Sequence, residues 1–235
     1  MTNLDGQIVL VTGAGRGVGA AIAQAFAMKG ATIAANDITP INLDKVVESI
    51  TAAGARAKSY IYDISKKMPV EALINGIHND WGRLDIVVNA ANVNPKSSIF
   101  SLDAWDWQRA LDVNLTGVFF ITQFAGRIMQ AQRGGSIINI ANDDILKHKT
   151  AYTSSKMGVI GLTEASAREL ESDNIRINAI SSGSTAETGQ LINNSTQMNE
   201  ALTQAALFLC SKAASQITGR IIDIHDQSSW QSSLQ

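Results

Sequence analysis

Seven short apolar runs, at residues 7–12, 31–36, 57–62, 84–89, 136–141, 176–181 and 220–225, alternate with longer segments whose apolar positions recur at helical spacing. Runs of that length bounded by turn residues read as buried strands, and the longer segments read as helices with one apolar face. Strands separated one from the next by a helix require right-handed crossovers. The expected fold is therefore α/β, a doubly wound parallel sheet of about seven strands with helices on both faces. No Pro/Gly/Ser-rich linker, repeat or low-complexity tract interrupts the pattern, so residues 1–235 are expected to form a single domain. Residues 182–197 are the least patterned, polar and rich in Ser, Thr and Asn, and read as a short cover over a substrate or as a disordered spacer.

Composition narrows the function classes. Hydrophobic residues make up 45% of the chain, enough for one sizeable core. The formal net charge is −2, the pI is near 5.9, and no run of Lys or Arg exceeds two, which disfavours nucleic acid and anionic membrane as partners. Cys210 is alone and follows Leu207, Phe208 and Leu209, so it reads as a helix residue packed in a core and fits a reducing compartment. The amino terminus has no basic region followed by an apolar one, and nowhere do eighteen apolar residues run together. The expected location is cytoplasmic.

The first run ends in TGAGRGVG at residues 12–19 and leads into a helical segment at Ala20. Gly13, Gly15, Gly17 and Gly19 let the backbone turn sharply and approach a pyrophosphate, with Arg16 and Val18 between them and helix amides to meet the charge. Such a glycine pattern is also compatible with a tight strand-to-helix turn alone. Asp37 closes the second run about twenty residues on, the place for a carboxylate that accepts ribose hydroxyls, which makes this a Rossmann pattern. That charge would repel a 2′-phosphate and favours NAD over NADP, whereas a guanidinium at Arg16 argues the other way. Asp37 reads equally well as a helix cap or turn residue ahead of Pro40.

Tyr152 and Lys156 stand four residues apart, on one helical face. A phenol of pKa near 10 is a poor acid or base at neutral pH, and an ammonium held beside it favours the phenolate. The pair is suited to passing a proton to or from an alcohol or carbonyl. His148, one turn earlier, is an auxiliary candidate or a solvated loop residue between Lys147 and Lys149.

Taken together these motifs resemble the short-chain dehydrogenase/reductase family, of the compact type that includes 3-oxoacyl-carrier-protein reductases. TGAGRGVG fits the family's TGxxxGxG, and Tyr152-Thr153-Ser154-Ser155-Lys156 fits its YxxxK. The resemblance implies that Asp63, with Ile64 beside it, lies against the adenine. Asn89 and Ala90 stand for the NNAG loop behind the cofactor, of which Asn92 replaces the glycine. Asn114 stands for the helix asparagine that organises a proton path to the lysine. The family's catalytic serine falls on Asn142, ten residues before Tyr152, in a shortened loop that continues into Asp143 and Asp144. Ser182 replaces a proline, Thr188 stands near the family's carboxamide threonine, and the last strand, Ile217 to Asp226, resembles the family's ITGxxxxVDGG with both glycines lost.

The resemblance thus implies a hydride transfer between a nicotinamide cofactor, NAD in preference to NADP, and a secondary alcohol or ketone. Tyr152 would be the acid/base, Lys156 would lower its pKa and bind ribose, and Asn142 would polarise the carbonyl in the serine's place. No metal is assigned. The alternative is a dinucleotide-binding protein with little turnover, a partner subunit or sensor, suggested by the missing serine. The family analogy also implies a homotetramer or homodimer built on the helices carrying Asn114 and Tyr152. Trp105, Trp107 and Phe100 read as pocket, interface or core residues.

Overall fold

Each of the seven apolar runs is a strand in the computed structural model, which describes residues 2–181 and 195–224. They are β1 (Ile8–Thr12), β2 (Thr32–Asp37), β3 (Ala57–Ile61), β4 (Ile86–Asn89), β5 (Gly135–Ala141), β6 (Ile175–Ser181) and β7 (Ile221–Asp223). The helices are α1 (Gly17–Met28), α2 (Pro40–Ala52), α3 (Lys67–Trp81), α4 (Ala104–Leu111), α5 (Gly117–Gln132), α6 (Thr150–Leu170) and α7 (Ser195–Leu209). All strands are parallel, in the order β3-β2-β1-β4-β5-β6-β7.

Period-two alternation assigns side chains to the two faces. Val9, Val11, Ile33 and Ala35 pack with Phe26 of α1, Leu43 of α2 and Leu202 of α7. Leu10, Val87 and Ile177 face the other way, against Leu73 of α3, Ile121 of α5 and Ala167 of α6. Helices on both faces explain why β1 and β4 are buried along their whole length.

Three expectations need correction. β3 is no buried strand: it is the sheet edge, and only its Tyr60 is buried. Lys58 on that strand pairs with Asp80 at 2.6 Å, and a charge of this kind blunts an edge against further pairing. Residues 195–197 are not loop, because α7 begins at Ser195; residues 182–194, including Thr188, lie outside the described residues. The last strand ends at Asp223, and His225 and Asp226 also lie outside them.

Strand order places β1 beside both β2 and β4, and the chain reverses its winding there. In an open α/β sheet the crevice beyond the strand carboxyl ends at this switch point is where ligands bind.

Candidate active site

A cleft of about 680 Å³ opens at that point. Gly13, Arg16, Gly17, Val18, Asp37, Asp63, Ile64 and Ala90 line it, all of them residues singled out by the sequence. The glycine loop owes its shape to close approach. Gly13 has φ +66°, and a Cβ there would lie 2.6 Å from the Ala91 Cα; one at Gly19 would lie 2.2 Å from the Gly13 carbonyl oxygen. Neither position accepts a side chain without moving backbone. Arg16 sits at the amino cap of α1 and supplies no side-chain acceptor to its first turn, which leaves that turn's amides directed at the cleft end of the helix.

Asp37 closes β2, and its two oxygens accept from Gly15 N–H at 3.0 Å and Ile38 N–H at 2.7 Å. The cap of α2 is Thr39, with Pro40 in its first turn, so the helix-cap reading of Asp37 is replaced by a carboxylate held on the glycine loop. Asp63 both lines the cleft and accepts from Ser65 N–H at 2.9 Å, a turn of the kind its residue type favours. Asn89 serves the cleft from behind. Its amide donates to Asn139 Oδ1 (2.9 Å), Asn139 donates to Thr163 Oγ1 (2.9 Å), and Thr163 donates to Val159 O (2.8 Å). The chain of bonds ties β4 to β5 and α6. Thr12, missed as a functional residue although it opens the glycine motif, accepts from Ala90 N–H and Ala91 N–H at 3.1 and 3.3 Å.

The four candidate catalytic residues come together where β5 ends and α6 begins. Asn114 is fully buried in a π-helical turn, Asp112–Thr116, between α4 and α5. Its amide nitrogen donates to Val93 O (2.8 Å) and Ser155 Oγ (3.0 Å), and its oxygen accepts from Val93 N–H (2.9 Å). Ser155 in turn donates to the Tyr152 carbonyl at 2.7 Å. Ser155 was not singled out from sequence, though a hydroxyl three residues after Tyr152 is placed to bond back along a helix. Lys156 is 3% exposed and donates to Ile140 O at 2.7 Å, two residues before Asn142. Asn142 is buried, and its side-chain oxygen accepts from Asp144 N–H at 2.9 Å. Asp143 is held by Ser181 at the end of β6.

Electrostatics here differ from expectation. Burial, and after it the Asp144 charge, pushes the Tyr152 phenol up to about 12, and burial lowers Lys156 to about 8. Lys156 does not bring the phenol down; a hydrophobic enclosure penalises both charged forms. Lys149 Nζ lies 5.6 Å from the Tyr152 ring centroid. His148 is exposed, with φ +61°, and precedes α6, so it is not on the Tyr152 face. Burial also raises the Cys210 thiol to about 12, which leaves it unreactive. Trp105, Trp107 and Phe100 are exposed, so none of the three is a core residue.

Residues 7–199 match the family model for short chain dehydrogenase. The chain belongs to the short-chain dehydrogenase family. Among curated relatives, a 3-oxoacyl-[acyl-carrier-protein] reductase of Thermotoga maritima is 32% identical, across 94% of this chain and 97% of the relative. A D-threitol dehydrogenase of Mycolicibacterium smegmatis is 35% identical across 76% and 70%. Among solved structures, an NAD+-bound xylitol dehydrogenase matches with a TM-score of 0.86 at 28% identity, over 94% of this chain and 98% of that one. A 7α-hydroxysteroid dehydrogenase complexed with NADH and 7-oxo glycochenodeoxycholic acid matches with a TM-score of 0.85 at 30% identity, over 94% of each. Like its family, this short-chain dehydrogenase is a nicotinamide-dependent oxidoreductase of small-molecule alcohols or ketones.

Proposed function

We propose that this short-chain dehydrogenase works with NAD on a secondary alcohol or ketone, with Tyr152 as the acid/base and Lys156, Asn114 and Asn142 in support. The observation that carries the reading is the bonded path from Asn114 through Ser155 to the Tyr152 backbone, set beside a glycine loop at the switch point of the sheet. The residues fit the cofactor: Gly13, Gly15, Arg16, Gly17, Val18 and Gly19 would hold its pyrophosphate, Asp37 a ribose, and Asp63, Ile64 and Ala90 the adenine. Asn89 would support that loop from inside the sheet. Tyr152 and Lys156 would reach the nicotinamide half. When bound, the cofactor gives or takes the hydride.

Asp37 favours NAD. Its oxygens each accept one amide hydrogen and retain acceptor capacity for hydroxyls, while its charge opposes a 2′-phosphate. Tyr152, protonated at neutral pH, is suited to donate its proton to a carbonyl oxygen. The Lys156 ammonium, held on Ile140 O, supplies positive charge behind it as negative charge develops. The Asn142 oxygen accepts from Asp144 N–H, so a bond from Asn142 to a substrate carbonyl would have to be donated by its amide nitrogen. A cytoplasmic location fits the lone, half-buried Cys210 thiol; among the described residues no helix is long and apolar enough to cross a membrane.

A second reading, dinucleotide binding with little turnover, draws on the same Asn142 in the place of a serine. Calorimetry with NAD and NADP, and then a ketone and alcohol screen at the nicotinamide absorbance, separates them. Tighter binding of NAD is expected, with a loss of about 100- to 10,000-fold in Tyr152→Phe, the contribution of a positioned acid. Turnover unchanged by Tyr152→Phe would sink the assigned role. Turnover seen only in Asn142→Ser would favour the second reading.

A further inference from the structure

The cleft wall continues from Asp63 and Ile64 onto α4 and the start of the π-helical turn, where Trp105, Arg109 and Val113 line it at i, i+4 and i+8. Trp105 is 68% exposed, and the Arg109 guanidinium lies 5.5 Å from the centroid of its ring. Among the described residues Arg109 forms no salt bridge, even with Asp106 one turn before it. The helix beneath them is braced at both ends: Asp106 N–H is capped by Asp103 at 2.8 Å, and Gln108 bonds to Asp112 at 2.8 Å. A large aromatic ring and an unpaired planar cation therefore stand on a rigid support at the mouth of the cofactor cleft.

We propose that Arg109, backed by Trp105, is a specificity-determining residue that holds the adenosine half of the dinucleotide. A guanidinium is always charged, weakly hydrated and planar, so it stacks on a purine face while its other face rests on the indole. The adenosine half is the one concerned, because Arg109 shares the cleft with Asp37, Asp63 and Ile64, whereas Tyr152 and Lys156 do not line it. The inference rests on the dinucleotide reading of this site.

Titration calorimetry of the full chain with ADP-ribose, and separately with nicotinamide mononucleotide, reads the two halves of the ligand. Arg109→Ala is expected to weaken ADP-ribose roughly 3- to 30-fold, the range of a cation–π contact, at unchanged melting temperature. Arg109→Lys, which keeps the charge and loses the planar face, should retain only part of the affinity. Nicotinamide mononucleotide should bind both variants as it binds the natural chain. Unchanged affinity for ADP-ribose in Arg109→Ala, or an equal loss for both ligands, overturns the proposal. If the natural chain binds neither ADP-ribose nor NAD, the dinucleotide reading itself falls and takes this one with it.

Discussion

Lys156 carries a pH signature that one substitution can read. Its folded pKa of about 8 lies below the usual 10.5, so burial makes the fold a weaker proton acceptor than the unfolded chain. Its contribution to stability is present in full above 10.5 and is lost as pH falls through 8. The natural chain should therefore gain stability relative to Lys156→Met between about pH 8 and 10.5, by an amount on the order of 3 kcal/mol. Denaturant melts of both proteins across that window check this; parallel curves would contradict it. Tyr152 works in the opposite sense at higher pH, since its raised pKa withdraws stability between 10 and about 12. The spacing of Tyr152 and Lys156 was readable from sequence because it is local. Their environment was not, because burial and the Asp144 charge come from segments folded against them. Arg109 shows the same limit: an arginine in a helical pattern carries no mark of the cleft it faces.

Elements were more legible than environments. Every strand could be read from an apolar run, since a strand covered on both faces must be apolar throughout. The exposed edge at β3 was not legible, because its run differs little from the others and edge position is set by strand order. The polar chain Asn89–Asn139–Thr163 was equally hidden: it joins residues on three elements that only the fold brings together. Asn139→Ala leaves the buried Asn89 amide without its acceptor and Thr163 Oγ1 with only its bond to Val159 O, and should cost about 1–3 kcal/mol. For a chain of this size that is a fall of roughly 2–12 °C in melting temperature, readable by calorimetry. A smaller change would mean that water replaces the lost amide.

For the molecule as a whole, assembly is the next expectation. Phe119 on α5 and Met157 on α6 are 41% and 45% exposed, apolar positions on the two helices through which the family analogy places subunit contacts. Light scattering at micromolar concentration should give a dimer or tetramer, and a monomer would remove the proposal. The π-helical turn at Asp112–Thr116 bears on the whole site in another way. Its i+5 bond from Gly117 N–H to Asp112 O inserts one residue into the helical count, a phase shift of about 100° between α4 on one side of it and α5 on the other. Upstream, Arg109 and Trp105 face the cleft; downstream, Ile121 and Met129 face the sheet; within it, Asn114 reaches Ser155. A single offset in winding thus sets both the rim of the cleft and the face that α5 turns to the sheet, so a one-residue deletion there would misalign them together.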